Sequence, residues 1–428
     1  MFTFVPGACV PVWLRERSDP YRRNERRSRT ETVRDLFLLR KVIGLKIAWF
    51  CIPAHGHTNP TLALVRTMVE AGHEVDYFSF APFREKIERT GARFVPCDEG
   101  GFAPEQNGGG DRVGRDLVYS TELIVNSTLA LDERIAAWVE EHRPDLIVAD
   151  SVAYWGRLTA MKYGIPCVSS TTTFAFNRYS AKYMPQSAGQ LLKTLFSAKK
   201  IDRILDRLRE RGYPVKSVLD IISNDNDTNT IVYTSKLFQP CAETFSDRYH
   251  FIGPSIRAVE TPMERTEEET VYVSLGTVVR NEALLQNCIE ALRETPCRVI
   301  VSLGGNDISL PDLPENVRAY PFVDQMAALS VADAFVTHCG MNSASEGLWF
   351  GVPLILCPQT SEQGAVARRT AELGAGVLPR SEKPKDLRAA IEAALNEPKY
   401  RAAAGAIAES FRSCGGAEEA RAFLEGLA

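Results

Sequence analysis

Short runs that are apolar at nearly every position, rather than at every second one, recur along this chain and alternate with stretches of helical period. KIAWFCI (46–52), DLIVAD (145–150), VYVSLG (271–276), CRVIVSLGG (297–305) and PLILCP (353–358) are of this kind. A strand that is apolar on both sides needs cover on both faces. Strands of that type alternating with helices imply parallel βαβ units. After KIAWFCI comes NPTLALVRTMVEAGH, with Leu62, Val65 and Val69 at helical spacing and Gly72-His73 at its end. The rhythm then predicts strand EVDYFSF, helix 83–90, strand ARFVP, helix 114–142, DLIVAD, helix 153–163 and strand PCVSS. A mostly helical insertion bearing Tyr and Phe follows over 174–228, before TIVYTS and YHFIGP.

A second set begins at VYVSLG and runs through helix 281–293, CRVIVSLGG, VRAYPF, ADAFVT, PLILCP and GAGVLP. The polar stretch 254–269 separates the sets and is expected to be the linker. The predicted fold is therefore α/β, with two Rossmann-like doubly wound parallel-sheet domains, 46–253 and 270–428, facing a cleft. The last helix is free to pack back on the first domain. Residues 1–45 hold ten basic and five acidic residues without apolar periodicity. They are expected to form a disordered, dispensable basic tail. Their apolar leader precedes the charges, the reverse of a secretory signal.

Net charge is -4, which gives no global attraction to nucleic acid or to an anionic membrane. No run of 18 apolar residues exists to span a bilayer. Ten cysteines lie scattered without a CxxC pair, as expected of unpaired thiols in a reducing, cytoplasmic compartment. A monomer or a dimer fits equally.

Ligands of such sheets bind outside the carboxyl ends of the strands. One strand end is followed by HCGMNSASEG (338–347). Asn342-Ser343 open the next helix, whose start offers free N–H groups and a positive dipole end. Gly340 would let backbone approach an anion, and His338 can donate to a phosphate oxygen. Glu346, further along, suits a ribose diol. His338 alone would equally suit the core beside a capped helix. The set together describes a seat for a nucleoside diphosphate without metal. At the first strand end, PAHGHTNP supplies His55 and His57, with Gly56 between them for a tight turn. An imidazole there is a natural general base, and Asp150 ends another strand of the same sheet, where it could orient that base.

The stretch 322–363, FVDQMAALSVADAFVTHCGMNSASEGLWFGVPLILCPQTSEQ, resembles the donor-binding region of family 1 UDP-dependent glycosyltransferases, which have the GT-B fold. The wider chain is similar to the bacterial macrolide and flavonoid glucosyltransferase branch, on GHTNPTLALV, PDLIVAD, FIGPS and SLGT. The resemblance implies that Phe322 stacks on uracil where the family usually has tryptophan. Gln325 would lie near base and ribose, His338, Asn342 and Ser343 on the diphosphate, and Glu346 on the ribose. Glu362 and Gln363 would hold the sugar hydroxyls, with glutamate where aspartate is common. Gly276 and Thr277 of SLGT would face the same phosphates. His57, directly after the glycine, would be the base and Asp150 its acidic partner.

Two other motifs offer weaker chemistry. DND (225–227) fits a metal-binding D-x-D but precedes a strand, so a turn is expected. NGGGDRVG (107–114) follows no apolar strand and is expected to be a loop on the acceptor side. His55, His73, His142 and His250 are expected to be structural. Tyr154, Trp155, Phe174, Phe176, Tyr179 and Met184 are candidates for an aromatic acceptor wall.

The expected function is inverting, metal-independent transfer of a sugar, glucose first, from a UDP-sugar to a hydroxyl of a hydrophobic small molecule, with no cofactor. A lipid or cell-envelope acceptor, a UDP-sugar epimerase and a non-catalytic sugar-nucleotide-binding protein are the alternatives.

Overall fold

The structure is a computed structural model. It describes residues 44–98, 116–183, 188–223, 227–276, 281–305, 308, 310 and 313–427, with backbone alone over 188–196. Residues 1–43 of the expected tail, the glycine-rich loop 107–114, Thr277, Met184 and Asp225 lie outside the described residues, while Leu45, expected in the tail, is buried in the core beside β1. Leu45–Ala428 forms one compact unit that contains two sheets.

The first sheet runs β3-β2-β1-β4-β5-β6-β7. Its strands are β1 (Lys46–Phe50), β2 (Glu74–Ser79), β3 (Arg93–Pro96), β4 (Leu146–Asp150), β5 (Cys167–Thr171), β6 (Thr230–Val232) and β7 (Tyr249–Phe251). The second runs β10-β9-β8-β11-β12-β13, from β8 (Thr270–Ser274), β9 (Arg298–Ser302), β10 (Val317–Tyr320), β11 (Ala334–Thr337), β12 (Leu354–Leu356) and β13 (Gly376–Val377). Every pairing is parallel. The continuous apolar runs account for this. Ile47 and Trp49 of β1 pack on one face of the sheet, Ala48 and Phe50 on the other, and all four are buried.

The helices longer than five residues are α1 (His55–Glu70), α2 (Leu117–His142), α3 (Tyr154–Tyr163), α4 (Ala188–Arg209), α5 (Glu282–Leu292), α6 (Gln325–Val331), α7 (Met341–Trp349), α8 (Ser361–Glu372), α9 (Pro384–Asn396), α10 (Pro398–Arg412) and α11 (Gly416–Glu425), and two single-turn helices cover Arg84–Glu88 and Val218–Ile222. The buried face of α1 is Thr58, Pro60, Thr61, Leu64, Val65 and Met68, so the stripe is rotated from the expected Leu62, Val65 and Val69. No regular element interrupts 254–269 between β7 and β8.

The final helix returns to the first sheet. Ala420 and Leu424 join the cluster of Leu64, Val65 and Met68, and the Phe423 ring stacks on His250 at 3.8 Å. His73 accepts from Leu45 N on Nδ1 and meets Glu425 with Nε2 at 3.1 Å. His142 stacks on Trp138. All three histidines thus make contacts within the fold.

Candidate active site

Both sheets reverse their strand order at one point, between β1 and β4 in the first and between β8 and β11 in the second. A crevice opens outside the strand ends at such a point. His57 follows β1 and Asp150 ends β4, while Gly276 follows β8 and His338 follows β11. Four of the expected residues thus stand at the two reversal points.

Helix α1 begins at His55, earlier than the sequence suggests. Its N-cap residue, Ala54, has no side chain able to cap, and the helix carries Pro60 inside its second turn, so local signals pointed to a loop. Gly56 is correspondingly not a tight-turn glycine. It is the second residue of the helix, its φ is not positive, and an added Cβ there would meet nothing within 4 Å. The helical start fixes His57 with Nδ1 2.7 Å from Asp150 Oδ2. The other carboxylate oxygen, Oδ1, accepts from the Val152 amide at 3.0 Å. Thr172 Oγ1 lies 3.3 Å from the same His57 nitrogen. The Asp150 side chain is fully buried and that of His57 is 18% exposed. With Nδ1 turned inward, Nε2 is the nitrogen left for a ligand.

The electrostatics of the pair follow from this burial. Burial works to lower the His57 pKa. The Asp150 carboxylate, through its charge and its hydrogen bond, outweighs burial, with a further contribution from Glu362, and the pKa stands above its ordinary value.

On the facing sheet the His338 ring lies between two glycines. A methyl on Gly276 would come within 2.8 Å of His338 Cε1, and one on Gly340 within 2.6 Å of Nε2. Gly276 also has φ +79°, which disfavours any side chain. Gly340 therefore makes room for the imidazole, where the sequence suggested room for an anion. Burial holds the His338 pKa down at about 4, only partly offset by the Ser274 backbone, and Nδ1 is buried without a hydrogen-bond partner, so the ring is neutral at physiological pH. It is an N–H donor without charge.

On the same sheet Gln325, Ser343 and Glu346 form a polar network. Gln325 Nε2 donates to Glu346 Oε2 and, at 3.3 Å, to Ser343 Oγ. Tyr272, on β8, donates to Gln325 Oε1 at 3.3 Å. Burial raises the Glu346 pKa, opposed by the Gln325 bond and the Arg257 charge. Asp324 caps α6 through Met326 N and holds Arg257 at 2.8 Å. Phe322 is 72% exposed, and its ring presses on Gly305, where an added Cβ would fall 2.4 Å from Cζ. One ring face is supported and the other open, as a stacking platform requires.

Glu362 and Gln363 open α8, with Thr360 and Gln363 forming a capping box. Gln363 Oε1 accepts from Gln359 N at 2.8 Å and Thr360 N at 3.2 Å, so only its Nε2 is left for a ligand. Glu362 is exposed as a residue, yet burial of its carboxyl raises its pKa, while His57 lowers it and Asp150 adds to the rise. Glu362 thus feels the pair on the opposite sheet. Asn342 reaches that side directly, its Nδ2 donating to Gly56 O at 3.3 Å.

The expected acceptor wall does not form as a unit. Trp155 is buried with Phe50, Phe78 and Trp138 in the first half's core, and Phe174 packs on Phe238 in the core near α8 and α10. An aromatic residue after a strand end can turn to core or crevice, and these two turn to the core. Phe176 is half-buried against that second core, and Tyr179 is exposed beside Arg178. Tyr154 lines a cavity of about 230 Å³ with Asp150, Arg157, Met161, Cys167 and Thr228. Among the described residues no cluster of three or more His, Cys, Asp or Glu could hold a metal ion, and the nine described cysteines are unpaired.

Sequence reasoning missed Thr172, Tyr272, Arg257 and the Gly56 carbonyl. For Thr172 the available signal was the hydroxyl-rich SSTTT run closing a strand, next to the strand that carries Asp150.

Residues 286–422 match the family described as Erythromycin biosynthesis protein CIII-like, C-terminal domain. The chain is 32% identical to the NDP-glycosyltransferase YjiC of Bacillus licheniformis over 89% of this chain and 96% of that protein. It is 30% identical to the demethyllactenocin mycarosyltransferase of Streptomyces fradiae, over 89% and 86%. Among solved structures, the calicheamicin glycosyltransferase CalG4 superposes with a TM-score of 0.74 at 26% identity, covering 90% of this chain and 98% of CalG4. No helix among the described residues is long and apolar enough to cross a membrane.

Proposed function

The chain belongs to the bacterial NDP- and UDP-sugar glycosyltransferases of GT-B fold, and from that membership we propose an inverting transfer, without metal or cofactor, of a hexose from a UDP-sugar to a hydroxyl of a hydrophobic small molecule. Glucose is the first candidate sugar. Macrolides, flavonoids and other phenols are the candidate acceptors, and the S. fradiae relative is named for a mycarosyl transfer to demethyllactenocin. The observation that carries the reading is the 2.7 Å bond from His57 to buried Asp150 at a strand-order reversal facing the His338 seat.

In the proposed step the acceptor hydroxyl gives its proton to His57 Nε2 as its oxygen bonds to the anomeric carbon. The bond from that carbon to the diphosphate oxygen breaks, and UDP takes the electron pair. Asp150 stabilises the imidazolium through Nδ1–H. The amides at the start of α7 and the neutral His338 N–H receive the charge on the diphosphate, joined on the resemblance by Thr277. Glu346 accepts from the ribose diol, Phe322 stacks on the base, and Glu362 with Gln363 Nε2 holds the sugar.

Incubation with UDP-glucose and a panel of macrolides, flavonoids and phenols, read by mass spectrometry with and without chelator, tests this. A hexose-bearing acceptor formed in the presence of chelator is the expected product. Epimerised donor, activity lost to chelator, or tight donor binding with no acceptor modified would overturn it.

Gly340→Ala should weaken UDP binding about tenfold or more, because the added methyl displaces the His338 donor and leaves a phosphate oxygen unpaired. Titration calorimetry with UDP reads this directly. A wild-type Kd would mean the ring is not a ligand.

A further inference from the structure

Helix α1 contains a proline one turn after its start. In an α-helix the carbonyl of residue 56 would accept from the N–H of residue 60, but Pro60 has no N–H, and a proline ring crowds the carbonyl four residues before it. The Gly56 carbonyl is thereby left without the i+4 donor a regular helix would give it. A backbone carbonyl in that state needs another partner. The partner comes from the other half of the molecule, where Asn342 Nδ2, on the second residue of α7, donates to Gly56 O at 3.3 Å. Gly56 is the second residue of α1, so the two helix starts meet across the crevice, one residue before His57. No Cβ stands in the way, since the space beside the Gly56 Cα is open to 4 Å.

We propose that Pro60 and Asn342 are the two parts of a cross-crevice latch. Pro60 frees the Gly56 carbonyl, Asn342 takes it, and closure of the two halves is thereby tied to the backbone that carries the base. An amide nitrogen has two hydrogens. One goes to Gly56 O and the other is left for a diphosphate oxygen, so donor binding would hold Asn342 in the latching position. That second part rests on the proposed donor; the latch itself rests on the hydrogen bond. Pro60 and Asn342 are positioning residues here, acting on His57 through its own turn of helix.

Pro60→Ala in the full chain restores an N–H at 60 that competes for the Gly56 carbonyl inside the helix, and it touches no substrate. The expected result is a kcat lower by about three- to tenfold, the loss of one neutral hydrogen bond, with the Kd for UDP changed less than about twofold. The acid limb of the pH profile should not move, and small-angle scattering of the unliganded protein should give a larger radius of gyration. Wild-type kcat with a wild-type radius overturns the latch. A moved acid limb overturns it too, because Pro60 would then act by pulling His57 off Asp150. Asn342→Asp provides a second reading from the other half, where it cannot disturb α1. It should enlarge the unliganded radius in the same way, and an unchanged radius overturns the latch whether or not the protein turns over any UDP-sugar. Scattering without ligand thus separates failure of the latch from failure of the donor assignment.

Discussion

Alanine in place of His57 is expected to lower sugar transfer about 10²–10⁴-fold, the usual contribution of a positioned general base. Binding of UDP should stay within about twofold of wild type, because the proposed donor seat lies on the other sheet and the proposed base acts only on the acceptor proton. The two halves of this result matter together. Loss of turnover with loss of UDP binding would indicate collapse of the crevice instead of loss of a base. Retained turnover would move the base to another residue, and His55 is a poor heir. Its ring lies against Phe83 and 3.4 Å from the Lys86 ammonium, and burial with that charge lowers its pKa. Steady-state rates with UDP-glucose and the best acceptor, beside calorimetry, decide the matter.

Asp150→Asn should lower kcat about a hundredfold or more, because the amide can neither fix the same ring tautomer nor stabilise the imidazolium. It should also change the pH profile in a defined direction. As the proposed base, His57 must be the neutral ring, so in the wild type kcat/KM is expected to be low below its pKa and to climb as pH rises through it. That pKa stands above the ordinary value because Asp150 outweighs burial. Without the carboxylate, burial dominates and the pKa falls, so the acid limb moves to lower pH while the plateau drops. A limb that moves upward, or stays where it was, would show that the titrating group is not the one Asp150 holds.

Much of this arrangement is legible in the residues themselves. Continuous apolar runs announce strands covered on both faces, and the rule that ligands sit beyond strand ends brings His57, Asp150, Gly276 and His338 to one crevice before any coordinates are consulted. Other features are written in contacts between segments far apart in sequence. Thr172 reaches His57 across 115 positions, and Asn342 reaches Gly56 across 286. The start of α1 was misjudged because Pro60 normally argues against helix and Ala54 gives no capping signal. At Gln363 the signal was present and unread. Thr360-x-x-Gln363 is a capping box in sequence, and it already commits the amide oxygen to backbone donors. Trp155 and Phe174 show the opposite limit, since an aromatic side chain does not declare which way it will turn.

The homing of α11 decides how this scaffold can be recombined. Grafting a foreign sugar-nucleotide module at residues 254–269 would import a foreign final helix as well. Its residues at positions 420, 424 and 425 would have to suit Leu64, Val65, Met68 and His73 of a host they never met. A chimera with a second junction just ahead of Gly416 keeps that seam native, so modular engineering of the enzyme is a three-piece problem in which the last ten-residue helix travels with the first sheet.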